Sequence, residues 1–331
     1  MDAHGTWLVT GGAGFIGSNL VETLLREGQK VVVLDSLVTG YQRNLDAALC
    51  RAGPGAAERF TFIHGDITSL ETCQRACVGV DWVLHQAALG SVPRSIAHPL
   101  DSHRANVDGF MNMLLAARDA KVKRFVYASS SSVYGDEPTL PKVESRVGRV
   151  LSPYAATKHI NEVYARVFQL SYGLETIGLR YFNVFGPRQD PNGAYAAVIP
   201  KWMASLQQGE PCRVNGDGST SRDFCFVANA VQANLKAALT QVPGATDAVY
   251  NVAVGGKTSL LELYTMIRER LAGSRPELAK LEPVFQPFRP GDIKDSQADI
   301  SRAKEKLGYA PTHTVSQGMD ETVAYAVENP S

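Results

Sequence analysis

The chain has 331 residues, 44% of them hydrophobic, and its 33 basic side chains balance its 33 acidic ones. That length suits one large α/β body with an appended lobe, and the zero formal charge removes the broad electrostatic attraction on which nucleic-acid binding rests. No apolar run approaches a membrane span and the first strand begins with no signal peptide before it, so a cytoplasmic protein whose five cysteines stay reduced is expected.

The apolar run Trp7-Leu8-Val9 leads into Thr10-Gly11-Gly12-Ala13-Gly14-Phe15-Ile16-Gly17 and then a helical segment from Ser18 to Arg26. This reads as a strand, a tight glycine turn and a helix N-terminus. Gly11 would allow turn angles closed to other residues, Gly14 would let the main chain approach a pyrophosphate, and Gly17 would let helix and strand pack closely. With Phe15 and Ile16 between them, these glycines present the unpaired N–H groups of the helix start to phosphate oxygens. The next strand, Lys30 to Leu34, ends in Asp35, at roughly the twenty-residue offset where an acid accepts hydrogen bonds from the adenosine ribose hydroxyls. A 2′-phosphate would meet that carboxylate, so NAD is expected rather than NADP.

Loops are expected over Ser36 to Asn44 and over the Gly/Pro-rich Arg51 to Ala57. A third strand, Phe60 to His64, runs into Gly65-Asp66-Ile67. Asp66 there could meet the adenine amino group, and equally could cap the helix from Ser69 to Cys77, neither role excluding the other. Cys73 and Cys77 share a face of that helix, which reads as buried packing rather than a metal site. The fourth strand, Trp82 to His85, carries a packed histidine and is followed by Gln86-Ala87-Ala88-Leu89-Gly90-Ser91, whose small residues leave room for a ribose and a nicotinamide.

A long amphipathic pattern from Leu100 to Ala120 precedes a fifth strand, Arg124 to Ala128, which ends in Ser129-Ser130-Ser131-Ser132-Val133-Tyr134-Gly135. Alternating strands and helices imply right-handed crossovers and a Rossmann-type, doubly wound parallel sheet, with ligands beyond the carboxyl ends of its strands. The serine cluster sits at that edge. Next comes Ser152-Pro153-Tyr154-Ala155-Ala156-Thr157-Lys158, a capping serine and an N1 proline that start a helix running to Tyr172. Tyr154 and Lys158 fall on one face of it. An ammonium beside a phenol favours the phenolate, as a cationic nicotinamide would, and makes Tyr154 a candidate base for a sugar hydroxyl.

From Pro187 onward, short apolar runs are broken by Pro191-Asn192-Gly193, Asn215-Gly216-Asp217-Gly218 and Val254-Gly255-Gly256-Lys257. The pattern predicts a smaller C-terminal α/β substrate lobe. Residues 1–180 with a return near 228–238 would form the NAD-binding domain, and 181–331 mainly the lobe.

Taken together, the glycine loop, Asp35, the serine cluster and the Tyr154-x-x-x-Lys158 pair resemble the extended short-chain dehydrogenase/reductase superfamily, over nearly the whole chain. Gly90-Ser91-Val92-Pro93-Arg94-Ser95, the run from Arg180 to Gln189 and Gly193-Ala194-Tyr195-Ala196-Ala197-Val198-Ile199-Pro200 are similar to stretches of nucleotide-sugar 4-epimerases, those acting on UDP-N-acetylglucosamine above all. The resemblance implies C4 epimerisation of UDP-sugars through a 4-keto intermediate, with NAD as a bound catalyst. It makes Tyr154 the acid/base and Lys158 its electrostatic partner and a donor to the nicotinamide ribose. Ser130 would hydrogen-bond the substrate O4, with Ser131 and Ser132 beside it. Gly11, Gly14, Phe15, Ile16, Gly17, Asp35, Asp66, Ile67, Gln86, Ala87 and Ala88 would line the cofactor. Gly90, Ser91, Asn183 and Ala197 would line the substrate, with Arg222 and Arg289 on its diphosphate. Either arginine could instead pair locally, Arg222 with Asp223 and Arg289 with Asp292. Ser296 would face the C2 substituent of the sugar.

A nucleotide-sugar 4,6-dehydratase or decarboxylase would share the fold, but the resemblance gives those enzymes acidic residues after the fifth strand, where this chain has serines. A UDP-hexuronic acid 4-epimerase remains open, because the motifs read the nucleotide, C4 and the cofactor. A dinucleotide-binding sensor would have no use for Tyr154 and Lys158. The resemblance further implies a homodimer formed through the two long helices near Leu100 to Ala120 and Pro153 to Tyr172.

Overall fold

The computed structural model describes residues 4–192, 196–288 and 294–329. Its first half alternates strand and helix: β1 (Thr6–Thr10), α1 (Phe15–Arg26), β2 (Lys30–Asp35), α2 (Gln42–Ala52), β3 (Phe60–His64), α3 (Leu70–Ala76), β4 (Trp82–His85), α4 (Val92–Ala97), α5 (Pro99–His103), α6 (Gly109–Asp119), β5 (Arg124–Ser130), α7 (Pro153–Tyr172) and β6 (Thr176–Tyr181). The second half carries shorter strands: β7 (Val184–Phe185), α8 (Val198–Gln207), β8 (Arg213–Asn215), β9 (Ser221–Arg222), β10 (Cys225–Phe226), α9 (Val227–Leu239), β11 (Ala248–Val252), β12 (Thr258–Ser259), α10 (Leu260–Ala272), β13 (Val284–Gln286), α11 (Ser301–Leu307) and α12 (Val315–Glu328).

Seven strands form one sheet in the order β11-β6-β5-β4-β1-β2-β3, every neighbour parallel. The order reverses between β1 and β4, which opens a crevice at their carboxyl ends. Side chains alternate across the sheet with a period of two. Trp7, Val9, Val33, Leu84 and Val126 pack on one face with Leu20, Leu24 and Val21 of α1, Leu45 of α2 and Ala230 of α9. Leu8, Leu34, Val83, Phe125 and Tyr127 pack on the other with Cys73 of α3, Phe110, Met113 and Leu114 of α6, and Phe168 of α7. Because both faces are covered, these strands read as continuous apolar runs rather than alternating ones. A third cluster, with Trp202 and Leu206 of α8, Leu263 and Ile267 of α10, and Met319 of α12, is the core of the lobe.

The chain leaves the sheet after β6, returns as α9 against its first face and adds β11 at its edge. Among the described residues the lobe strands form two-stranded ladders, β10 with β7, β12 with β9 and β13 with β8, with one further bridge from Ser221 to Asp295. Among the described residues, no helix is long and apolar enough to cross a membrane.

Several boundaries differ from expectation. Helix α1 starts at Phe15 rather than Ser18, because the turn closes within Gly11–Gly14. Helix α2 starts at Gln42, inside the expected loop. The single helix expected over Leu100 to Ala120 is broken by a π-helical turn, Arg104–Asp108, between α5 and α6. That wider turn carries the buried Asn106, whose amide bonds the Leu89 main chain (2.7 and 3.1 Å) and Thr157 Oγ1 (3.1 Å), so side-chain bonding across the core overrides regular helix.

Candidate active site

A cleft of about 820 Å³ opens where the strand order reverses, walled by residues at the carboxyl ends of β1 to β6. Gly11 stands at its base in the left-handed region, φ 67°. Gly17 packs on the turn itself: a Cβ there would lie 2.1 Å from the Gly11 carbonyl oxygen, so this glycine serves the approach of α1 to its own turn rather than to the strand. Gly14 is the N-cap of α1 and offers no side-chain cap, which leaves the helix's first N–H groups to the cleft. Phe15 and Ile16 line the same wall.

Asp35, 8% exposed, accepts from the main-chain N–H of Ala13 (2.9 Å) and of Leu37 (2.8 Å), one on each oxygen. The carboxylate thus holds the glycine turn against β2, and each oxygen keeps a further acceptor site toward the cleft it lines. Of the two readings of Asp66, capping of α3 falls to Ser69, whose hydroxyl accepts from Thr72 N. Asp66 instead is exposed in the cleft wall and accepts from Thr68 N (2.8 Å); Ile67 beside it is buried. Gln86, Ala87, Ala88 and Gly90 follow β4 along the opposite wall. The Gln86 amide is engaged by Asn234 (3.0 Å) and the Tyr181 hydroxyl (3.0 Å). His85 is buried between Phe110 and Phe125, bonds Thr10 through Nδ1 (2.8 Å), and is held neutral, near 3, by burial and by the Lys158 charge.

Helix α7 starts as its sequence predicts, with the Ser152 hydroxyl accepting from Ala155 N and Pro153 in the first turn. Tyr154 and Lys158 both line the cleft. Lys158 is 2% exposed, and its Nζ donates to the Ala128 carbonyl at 2.8 Å. Burial lowers its pKa from the ordinary 10.5 to about 8, against the opposing charge of Glu162. Burial raises the Tyr154 phenol above its ordinary value, and the nearby Ser130 hydroxyl opposes that rise. The expected depression of Tyr154 by its lysine is therefore corrected: in this arrangement Ser130 is the group that lowers the phenol, and burial outweighs it.

The serine cluster divides into distinct roles. Ser129 is buried and donates to Glu162 Oε1 (2.5 Å). Ser130, at the last position of β5, lines the cleft and accepts from the N–H (3.1 Å) and hydroxyl (2.9 Å) of Ser132. Ser132 thus orients Ser130, while Ser131 opens the 3-10 turn Ser131–Tyr134 half-buried beside them.

The substrate side is less compact. Asn183 lines the cleft with φ 32° and donates to the Asp223 carbonyl (3.3 Å). Ser91 has its hydroxyl taken up in capping α4, where it accepts from Arg94 N (3.3 Å). Among the described residues, Ser91, Ser131, Ser132, Ala197, Arg222 and Ser296 stand outside the walls of this cavity. Ala197 is the exposed N-cap of α8. The structure brings Arg222 and Ser296 onto one small ladder: Arg222 donates to the carbonyls of Ser221 (2.9 Å) and Lys294 (3.2 Å), and Ser296 N donates to Ser221 O (3.1 Å). The local pairing of Arg222 with Asp223 is corrected, since the fully buried Asp223 carboxylate turns to the main-chain N–H groups of Val254, Gly255 and Ala298. Arg289 lies outside the described residues, as do Gly193, Ala194, Tyr195 and Asp292.

Three cleft-side groups escape the sequence reading. Tyr181 closes the wall behind Gln86, held by Asn234 (2.7 Å). Its signal lay within the Arg180-Tyr181-Phe182-Asn183 run. Arg180 and Glu162 form a buried fork behind Lys158 (2.9 and 2.8 Å). Glu162 was visible as the next residue after Tyr154 and Lys158 at four-residue spacing; Arg180, on the neighbouring strand, needed the fold.

A cleft built for a dinucleotide, with a tyrosine and a sealed lysine along its rim, is the arrangement of an extended short-chain dehydrogenase/reductase. The profile of the NAD dependent epimerase/dehydratase family matches residues 7–253. A UDP-glucose 4-epimerase of Mycolicibacterium smegmatis is 38% identical over 320 residues, covering 96% of this chain and 97% of that protein. The UDP-N-acetylglucosamine 4-epimerase of Methanobrevibacter ruminantium M1, solved in complex with UDP-N-acetylmuramic acid, superposes with a TM-score of 0.89 at 37% identity over 98% of this chain and 99% of that one. The Thermus thermophilus UDP-glucose 4-epimerase, solved with NAD, gives 0.83 at 32% identity over 98% and 100%. The chain belongs to the NAD-dependent epimerase/dehydratase family.

Its cofactor is NAD, and the residues present fit it. The uncapped start of α1 suits a pyrophosphate, the Asp35 carboxylate at the end of β2 suits ribose hydroxyls, and a side chain at Gly11 would intrude on Ala87 across the crevice.

Proposed function

We propose that this chain epimerises UDP-sugars at C4, interconverting UDP-N-acetylglucosamine with UDP-N-acetylgalactosamine and also UDP-glucose with UDP-galactose, through a 4-keto sugar. The observation that carries the reading is that Tyr154 and Ser130 share the cleft wall, with Lys158 buried one turn along the same helix. The serines that follow Ser130 speak against a dehydratase, which would need an acid and a base there to eliminate water.

Bound NAD supplies a hydride acceptor and donor at C4, and a cationic ring that favours the Tyr154 phenolate. Tyr154 takes the proton of the C4 hydroxyl as the carbonyl forms and returns it when the opposite face is reduced. Ser130 Oγ, oriented by Ser132, hydrogen-bonds O4. Lys158 holds a buried positive charge one turn along α7 from the phenol, anchored to the Ala128 carbonyl. Asn183, Arg222 and Arg289 hold the diphosphate end alone, so that the sugar can turn between the two half-reactions.

In this reading residues 1–180, with a return near 228–238, bind NAD, and 181–331 mainly bind the UDP-sugar. The enzyme works as a homodimer in the cytoplasm, a setting that accords with its free thiols at Cys50, Cys73, Cys77, Cys212 and Cys225.

The test is product analysis by NMR after incubation of the NAD-loaded protein with UDP-N-acetylglucosamine, UDP-glucose and UDP-glucuronic acid in turn. An isomer from the first two is expected. A 4-keto-6-deoxy sugar would make the protein a dehydratase, an isomer from the uronic acid alone would move the substrate, and no turnover would leave a sensor. Tyr154→Phe should lose on the order of a hundredfold or more in kcat with a much smaller change in substrate affinity.

A further inference from the structure

Tyr154, Lys158 and Glu162 follow one another at four-residue spacing on α7, so their side chains stack along one face of the helix. The last three residues of β5 answer them in turn. The Ala128 carbonyl accepts from Lys158 Nζ (2.8 Å), the Ser129 hydroxyl donates to Glu162 Oε1 (2.5 Å), and Ser130 shares the cleft wall with Tyr154. Arg180, opposite Ser129 in the β5–β6 ladder, then grips both oxygens of Glu162, Nε to Oε1 at 2.9 Å and Nη2 to Oε2 at 2.8 Å. Behind it, the Arg180 guanidinium lies over the Tyr134 ring at 4.8 Å and donates to the Glu144 carbonyl.

The side chains of Arg180 and Glu162 are 4% and 9% exposed. An ion pair buried that deeply gains little over an apolar pair of the same shape, because desolvation offsets the attraction. Its place one turn beyond Lys158 therefore calls for a role other than stability.

We propose that Glu162 is a positioning residue for the Tyr154–Lys158 pair: clamped by Arg180 and Ser129, its carboxylate sets the register of α7 against the end of β5 and holds a fixed negative charge behind the Lys158 ammonium. The inference rests on the reading of Tyr154 as the acid/base.

The groups around Lys158 leave that charge without a substitute. His85 on β4 stays neutral near 3, and Tyr127 on β5 is kept a neutral phenol by burial. Arg180 on β6 is a cation. Glu144 acts on Tyr134, and Asp247 on Tyr127, rather than on Lys158. Glu162 is the group that opposes the lowering of Lys158 by burial. A neutral residue there should let Lys158 lose its proton at lower pH.

The experiment measures kcat and KM for UDP-N-acetylglucosamine against pH with the NAD-loaded wild type, Glu162→Gln, Ser129→Ala and Tyr154→Phe. Glu162→Gln is expected to lower kcat about tenfold, to leave KM within about twofold, and to move the alkaline fall of kcat down by about one pH unit. Wild-type kcat, or an alkaline limb that does not move, overturns the proposal. Should Glu162→Gln not fold, Ser129→Ala decides: it keeps the ion pair but releases the β5 contact, and a kcat loss of roughly threefold or more at unchanged KM supports the positioning role, whereas no loss refutes it. A Tyr154→Phe enzyme that stays active would overturn the acid/base reading itself, whatever Glu162 does. An inactive Tyr154→Phe enzyme beside an unaffected Glu162→Gln enzyme would refute this inference alone.

Discussion

Gly11 at the end of β1 and Ala87 after β4 approach so closely across the crevice that a Cβ on Gly11 would lie 2.7 Å from the Ala87 amide nitrogen. Gly11 also sits at φ 67°, where an L side chain is disfavoured by about 1–2 kcal/mol. Strain and clash act together, and both fall on the turn that presents the N-terminus of α1. Gly11→Ala should therefore be purified with little NAD and melt below the wild type. Cofactor content and calorimetry check this, and a full complement of NAD in the variant would show that the turn yields.

Lys158 makes a prediction about stability with a definite sign. Its pKa is lowered from 10.5 to about 8 in the folded chain, so between those values the unfolded chain binds more protons. The penalty for burying the ammonium is complete below about pH 8 and fades as the pH rises toward 10.5. Lys158→Met, of similar length and without charge, should raise the thermal midpoint by roughly 2–5 °C at pH 7 while abolishing turnover. The gain should shrink when melting is repeated near pH 10. A lower midpoint at pH 7 would mean that the Ala128 hydrogen bond outweighs the desolvation of Lys158.

Much of this was legible in the sequence because local rules and the fold agree. The boundaries of β3 and β4 follow from short apolar runs bounded by turns, and the start of α7 from Ser152 and Pro153. The π-helical turn was not legible, since Asn106 is drawn in by Leu89 and Thr157, far apart in sequence. Asp66 misleads as a cap because Asp, Thr and Ser stand close together before α3, and a residue pattern does not choose among them. Side-chain roles split inside Ser129–Ser132 because a strand alternates its faces: Ser130 turns to the cleft and Ser129 to Glu162. The lobe was least legible, as its two-stranded ladders join β9 to β12 and β8 to β13 across long separations.

Helix α7 leaves Val163, Val167 and Leu170 exposed at 52%, 44% and 70%, at spacings that place them on one side of the helix. Leu100 of α5 is 69% exposed and adds to the apolar surface left uncovered on this part of the chain. A self-complementary helical interface would cover such a surface in a homodimer. Light scattering should give twice the chain mass for the wild type and a monomer for Val167→Glu combined with Leu170→Glu. A wild-type monomer at micromolar concentration would remove the dimer from the proposal.

On the proposed function, Ser296 is the residue expected to bear on the choice of sugar. It is half-buried, its main chain is pinned by the Ser221 carbonyl (3.1 Å), and its neighbour Asp295 accepts from the Ser221 hydroxyl (2.5 Å), so this backbone is anchored to the ladder that carries Arg222. The resemblance implies that the residue at this spacing after Arg289 lines the wall facing the C2 substituent, with a tyrosine there where the sugar is restricted to UDP-glucose and UDP-galactose. A wall fixed at its backbone does not retreat for several added heavy atoms, and a close-packed pocket turns extra volume into a penalty of about 1–3 kcal/mol or more. If Ser296 forms that wall, a serine there would leave the space an acetamide needs. Ser296→Tyr should therefore lower kcat/KM for UDP-N-acetylglucosamine by roughly ten- to two-hundredfold while leaving UDP-glucose nearly unchanged, because the clash falls on one substrate only. Parallel assays of the two sugars decide it: an equal loss on both, or none on either, would place the gate at another residue.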